Sequence, residues 1–503
     1  MNRPIRQNPF GACGVTRRQF LTQTGMGFTG VALSAMLFKD GALRASEAPA
    51  FTPPDGRPHF PPRAKSVIWI FLIGGLSHLE SFDVKPELNK YAGKLIEDTP
   101  HAGLLNEALI KANLPNVDTQ KRDVYKKIMG LNTGYRAYGQ SGLVVSDWFP
   151  HLGSCADDLA VVRSFWTIDN NHGAQLTFHT GRNVREGAHP TIGSWVTYGL
   201  GSLTDNLPEF VVIGEPSADC CGGVWTHGAA WLGPQYAGVR LNTDPSKPLA
   251  FIKPADPKMT PEEQEANFSL LGKLNRLAGI DYPDDEFLRA RIKSYELAFQ
   301  MQTAIPDTLG LQKETEATKK MYGLDQKETE TFGQQCLVAR RMVERGVRFI
   351  QLFHGGTGNA GAWDSHRDIK TNHTRLAKQV DQPIAALIKD LKQRGLLDDT
   401  LVVLGTEFGR TPGADYNEGA MGTGRDHHPH GFTCVLAGGG TKGGIVHGAT
   451  DELGFHAVEH RHYVTDLHAT VLHLMGLDTR KLQYPGRQRL EMDYGEVIRP
   501  ILA

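Results

Sequence analysis

The sequence predicts an α/β protein: a doubly wound, mostly parallel sheet with helices on both faces, carrying insertions. Three observations lead there. Six short apolar runs recur along the 503 residues. Amphipathic helical patterns lie between several of them, and strands alternating with helices build a parallel sheet covered on both sides. Carboxylates and imidazoles gather where the runs end, and the exit edge of such a sheet is where ligands bind.

The first run, "SVIWIFLIGG" (66–75), is continuously apolar and ends in Gly-Gly. A strand buried on both faces reads this way, because neither face alternates with solvent. The same holds for "DLAVVRSF" (158–165), "PEFVVIG" (208–214), "GVRFIQLF" (346–353), "DTLVVLGTEF" (399–408) and "GFTCVLAGG" (431–439). In "TRLAKQVDQPIAALIKDLKQRG" the apolar positions Leu376, Val380, Ile384, Leu387, Ile388 and Leu391 recur at three and four, one face of a helix that Gly395 ends. "VTDLHATVLHLMG" predicts a second helix, capped at Thr465 and stopped by Gly476. "TPEEQEANFSLLGKLNRLAG" carries a capping box, with Thr260 as the cap, Pro261 at the first helical position and Glu263 closing the box.

The N-terminus has a different logic. Arg17-Arg18, then Phe20-Leu21, precede a weakly apolar run from Met26 to Phe38, too short and Gly-rich for a stable membrane span. The pair resembles a bacterial twin-arginine export signal. Residues 1–46 are expected to be that signal, 47–64 a Pro-rich linker, and 65–503 one α/β domain with insertions at about 90–150 and 215–330. Localisation is then periplasmic, or otherwise exported, with no transmembrane span left in the mature chain. Of the six cysteines Cys13 leaves with the signal. Cys155, Cys220, Cys221, Cys336 and Cys434 remain, with no C-x-x-C pair, and are expected to be mostly free, buried thiols. The 54 basic and 55 acidic residues nearly balance, and no basic stripe is present, which argues against nucleic acid.

Chemistry is expected where the runs end. After the first come His78, Glu80 and Asp83; after the second, Asp169, Asn171 and His172. "GVRFIQLF" is followed by His354, Asp364, His366 and Asp368, and "LVVLG" by Glu407 and Arg410. Then comes "GRDHHPHGF", with Arg425, Asp426, His427, His428 and His430. The candidate metal ligands are Glu80 or Asp83, His172, Asp364, His366, Glu407, and Asp426 or His427. Such a mixed set suits one or two divalent ions, Zn²⁺ or Mn²⁺, with an oxygen-richer subset suiting Ca²⁺. Arg410 and Arg425 are candidates to stabilise the oxygens of an anionic ester, and His172 to act as base or nucleophile.

"IFLIGGLSHLESFDVKP", "NHGAQLTFHTGR", "AWDSHRD", "GLLDDTLVVLGTEFGRTP", "GRDHHPHGFTCVLAGGGTKGGIVHGATDELG" and "VTDLHATVLHLMGLD" together resemble the DUF1501 family. The family consists of exported, mostly bacterial proteins placed in the alkaline phosphatase/sulfatase superfamily. The resemblance implies an alkaline phosphatase-like fold with metals at the strand exits. On the sulfatase pattern "VVLGTEFG" stands at a metal-binding turn, with Glu407 for the metal-binding Asp and Phe408 where a His is usual. Asn171 falls where the nucleophilic Cys or Ser belongs. The implied function is an exported metal-dependent hydrolase of phosphate or sulfate esters, small or polysaccharide. The alternative is a non-catalytic relative that binds a polysaccharide or an envelope partner.

Overall fold

A strand buried on both faces must send its side chains alternately into two cores, and Ser66–Leu72 (β1) does so. Val67, Trp69 and Phe71 enter one core and Ile68, Ile70 and Leu72 the other. The structure, a computed structural model, describes residues 54–106, 127–243, ten positions between 260 and 274, 305, 307–356, 360–417, 420–484 and 495–503. The expected signal segment and Cys13 lie outside these residues, as does much of the two expected insertions. Residues 54–503 cluster as one compact unit.

All six apolar runs form strands: β1, Leu159–Trp166 (β2), Phe210–Ile213 (β3), Phe349–His354 (β5), Thr400–Gly405 (β6) and Phe432–Ala437 (β7). Three shorter strands, Val239–Leu241 (β4), Ile445–His447 (β8) and His462–Tyr463 (β9), complete a nine-stranded sheet. Its order is β8-β2-β7-β6-β1-β5-β3-β4, with β9 also on β2. β1 lies at the middle, parallel to β5 and β6, with Phe71 opposite Phe353 and Gly405.

One strand runs against the rest. β7 is antiparallel to both of its neighbours, β2 and β6. Its sequence reads like a parallel strand because burial on both faces, not direction, makes a run apolar. The reversal matters for the site. The segment before β7, not after it, lies at the edge where β6 ends, so Asp426 and His427 arrive there from the opposite direction.

Helices cover both faces. Glu330–Glu344 (α3) and Ile369–Gln393 (α4) pack on the Ile68/Ile70/Leu72 side; Ala174–Thr180 (α1), Ile192–Leu200 (α2) and Val464–Leu474 (α5) pack on the Trp69 side. All six periodic apolar residues of α4 are in the first core. α4 starts five residues before "TRLAKQ", at a cap the periodicity does not register: the Asp368 carboxylate accepts from the Thr371 N–H. α5 begins at Val464 with Tyr463 as its cap residue, so Thr465 is inside the helix and not its cap. The Thr260 box is formed, with Thr260 Oγ1 accepting from Glu263 N–H and Glu263 Oε2 from Thr260 N–H. All five described cysteines are free, and four are buried as expected, Cys220 being exposed.

Candidate metal centre

Five segments meet at the end of β1 and β6. Gly74 permits the closest approach. Its φ of +119° suits glycine, and a Cβ there would lie 2.4 Å from the Asp364 amide nitrogen. The Gly74 N–H donates to both oxygens of Glu407, at 2.9 and 3.1 Å, which ties the exit of β1 to that of β6. Gly424 does the same on the far side: a Cβ would strike the backbone of Ser365 and His366. Through these contacts residues 363–366 and 424–427 come together.

Asp364 is the hub. Its Oδ1 lies 2.9 Å from His427 Nε2, 3.1 Å from His366 Nε2 and 3.0 Å from the Arg410 guanidinium, and its Oδ2 lies 3.4 Å from His172 Nε2. Burial opposes its charge, but hydrogen bonds with His172, His366 and His427, and then Arg410, hold its carboxyl far below the usual carboxylate range. Behind His172 stands Glu407, whose Oε1 accepts from Nδ1 at 3.1 Å; the Thr406 hydroxyl donates to Oε2 at 3.0 Å. His366 Nδ1 is likewise anchored to Asp415 Oδ2 at 2.7 Å. The remaining nitrogen of each ring is thereby aimed at Asp364.

His427 fixes the electrostatics. Its Nδ1 donates to the Asn170 carbonyl at 2.8 Å, so the lone pair is on Nε2. That lone pair points at Asp364 Oδ1 and, 3.0 Å away, at His366 Nε2. Burial pushes the His427 imidazole down to about 3, so the ring is neutral. Burial also opposes charge on His366 and His172, yet bonds to Asp364 and Asp415 raise His366 to about 9, and bonds to Asp364 and Glu407 raise His172. Acceptors converge here and need positive charge between them, which protons on His366 and His172 provide. Phe408 walls the site: its ring centroid is 4.3 Å from that of His427 and 5.4 Å from that of His172.

Two groups in this cluster have the spacing of metal ligands: His172, Asp364 and His427, and His366, Asp426 and His427. His427 is shared. Buried His172 Nε2 has only the long 3.4 Å approach of Asp364 Oδ2 before it, and the donor set of two imidazoles and a carboxylate suits Zn²⁺ or Mn²⁺. The residues therefore fit a divalent cation. Side-chain exposure rises from 0% at Glu407 and 1% at His427 to 17% at Asp364 and 28% at His366, so the cluster opens on its His366 side.

Five of the expected ligands, His172, Asp364, His366, Asp426 and His427, thus come together. Glu407 is one bond removed; it orients His172 and belongs to neither group, because its oxygens face Gly74 N–H and His172 Nδ1. Glu80 and Asp83 are engaged elsewhere by the protein's own cations. Glu80 Oε1 accepts from Arg425 Nη2 and Nε at 2.7 and 2.9 Å and its Oε2 from Nε at 3.2 Å, with Ser77 and Asn132 completing its shell. Asp83 pairs with Lys85 at 3.1 Å and accepts from Thr450. The two arginines are also structural. Arg425 spends its remaining donors on the carbonyls of Thr411, Pro412, Met129 and Gly130. Arg410 spends its own on Gly74, Gly75, Trp363, Arg425 and Asp364. Both side chains are fully buried, and neither has a donor for a substrate. Asp415 and the Asn170 carbonyl were not foreseen; Asp415 follows no apolar run, and a backbone oxygen leaves no mark in a sequence. His428 and His430 turn away to pack with each other and His456.

A mostly parallel α/β sheet with a carboxylate–imidazole cluster at its strand exits defines the class of protein. The chain belongs to the DUF1501 family, described as a protein of unknown function, whose model matches residues 64–502. No curated protein matches the sequence. Among solved structures the chain is similar to Ps i-CgsB, crystallised with k-i-k-neocarrahexaose, at 11% identity over 86% of this chain and 75% of that one, TM-score 0.36. It is similar to the lipoteichoic acid synthase LtaP from Listeria monocytogenes at 9% identity over 89% and 78%, TM-score 0.37. It is similar to the alkaline phosphatase of the Antarctic bacterium TAB5 at 9% identity over 84% and 99%, TM-score 0.32. These are loose likenesses.

Proposed function

We propose that the protein is an exported metal-dependent hydrolase of phosphate or sulfate esters, with His172, Asp364 and His427 holding a divalent cation and His366 and Asp426 available to a second. The observation that carries this reading is the Nε2 lone pair of His427, locked by Asn170 and aimed at a carboxylate. When bound, such a cation supplies Lewis-acid polarisation of a phosphoryl or sulfuryl oxygen. The chain's own groups do the rest. Glu407 and Asp415 hold the tautomers of His172 and His366, Arg410 fixes Asp364, and Phe408 keeps water from one side of the His427 ring. With no second cation bound, His366, on the open side, is placed to hand a proton to a leaving group or take one from a nucleophile.

A second reading rests on Asn171. It occupies the place of a sulfatase nucleophile, yet its Oδ1 accepts from the His172 N–H at 2.8 Å. A site that keeps a cation without a side-chain nucleophile also suits binding of a sulfated polysaccharide or an envelope partner. One experiment separates the two: metal content of the purified protein by mass spectrometry, with a screen of aryl phosphate and sulfate esters before and after chelation. Hydrolysis that a chelator abolishes supports the enzyme. Metal without hydrolysis supports the binding protein, and no tightly held metal defeats both. Export is a separate proposal; lysines at Arg17 and Arg18 should leave the protein in the cytoplasm, and undiminished periplasmic yield would overturn it.

A further inference from the structure

Three histidines outside the centre gather on the side of β2 away from β7. β8 and β9 both pair with that strand, His447 opposite Val162 and His462 opposite Phe165. In "EHRHY" the histidines flank Arg461, with His462 on the strand and His460 in the turn that leads into it. The structure shows a division: Arg461 and Tyr463 lie against the ring of Trp166, at 5.2 and 4.9 Å, while His460 and His462 both reach His447, with ring centroids 5.1 Å apart in each case.

We propose that His447 and His462 form a further binding site for a transition-metal cation of the Zn²⁺ class, with the His460 ring stacked beside it. The two Nε2 atoms face each other at 2.9 Å. Tetrahedral zinc with bonds of 2.0–2.1 Å sets its nitrogens about 3.3 Å apart, so an opening of a few tenths of an ångström admits the ion. His462 Nδ1 donates to Asp466 Oδ2 at 2.9 Å, the carboxylate–histidine arrangement that fixes a ligand's tautomer and ring orientation. That leaves the His462 Nε2 lone pair facing His447. Burial, then the neighbouring imidazoles, push His447 down to about 4, so it meets a cation as a neutral ring. His460 is held in a left-handed conformation, φ +45°, uncommon for a residue with a side chain, and its carbonyl accepts from Ser164 Oγ at 2.7 Å. That strained turn presents the His460 ring to His447 at an interplanar angle of 20°. His460 is exposed, which leaves coordination positions open to water or a ligand.

The proposal stands apart from the hydrolase reading, and its test is done in the His427→Ala background, which removes the ligand that both groups of the main centre share. The full chain is stripped with chelator and titrated calorimetrically with Zn²⁺. The expected result is one equivalent bound in that background, lost when His447→Ala or His462→Ala is added. Asp466→Asn should weaken it by roughly ten- to a hundredfold while leaving both imidazoles in place. Circular dichroism checks that each variant is folded. No zinc bound in the His427→Ala background, or the same zinc bound after His447→Ala and His462→Ala, overturns the proposal; the pair is then an ordinary N–H···N hydrogen bond.

Discussion

Asp364→Asn is the most informative single change at the centre. The substitution keeps the shape and still offers Arg410 an acceptor, so loss of packing does not explain its effect. It removes one negative charge from a position adjoining the cation. At about 4 Å and an effective dielectric of about 20, a pair of unit charges is worth about 4 kcal/mol, and against a divalent ion this is a lower bound, at least about a thousandfold in affinity. With Zn²⁺ at about 100 times the wild-type Kd, binding stabilises the wild type by about 2.7 kcal/mol. An unfolding entropy of about 2.1 cal/mol/K per residue over roughly 450 residues turns this into a rise of about 3 °C in Tm. The variant, at about one tenth of its own Kd, gains less than about 0.1 kcal/mol. The assay is a melting curve of each protein with chelator and with Zn²⁺ at that concentration. Equal zinc-dependent shifts in the two proteins would refute the assignment of Asp364 as a ligand.

Glu407→Gln should weaken the metal by roughly ten- to a hundredfold, because only the orientation of His172 is affected; calorimetry reads this, and a loss as large as that of Asp364→Asn would make Glu407 a ligand. Arg425→Met should cost about 3–5 kcal/mol of stability by stranding Glu80, with metal stoichiometry unchanged in whatever folds; denaturant unfolding and mass spectrometry check the two halves. His354 accepts from the Trp363 indole at Nδ1 and donates to Gln379 at Nε2, and burial pushes it down to about 4. Between pH 6.5 and 4 the unfolded chain takes a proton that the folded one refuses, so stability falls as pH drops, by about 3 kcal/mol at most. His354→Gln should flatten that part of the unfolding free energy against pH; an unchanged slope would show that the ring is not held neutral.

What was legible in the sequence follows from what burial writes into it. The six central strands are readable because both faces of each are covered, and α4 because its apolar face repeats. The direction of β7 is not readable, since reversal changes hydrogen bonding and leaves composition alone. At the site, the exits of β2 and β5 and the segment before β7 pointed to His172, Asp364, His366 and His427. Sequence position does not say which acids the protein neutralises itself. Glu80, Asp83 and Glu407 all follow apolar runs, yet Arg425, Lys85 and His172 claim them, across separations of 345, 2 and 235 residues for the contacts that decide it. Arg410 and Arg425 look like anion binders for the same reason: their carbonyl partners are invisible until the chain folds.

The bond between Gly74 and Glu407 joins residues 333 apart, whereas the β6–β7 pairing joins residues about 30 apart. Closing the longer loop costs about 2 kcal/mol more in chain entropy. The Glu407 turn and the Asp426–His427 segment therefore have a local route to each other, through the antiparallel pairing of Arg410 with His427. His172 and Asp364 join only when β1 docks between β5 and β6. Assembly of the centre thus has an order: a hairpin-like half formed early from the C-terminal third, completed late by the N-terminal strand. In pulse-labelled hydrogen exchange during refolding, the amides of β6 and β7 should be protected before the Gly74 amide.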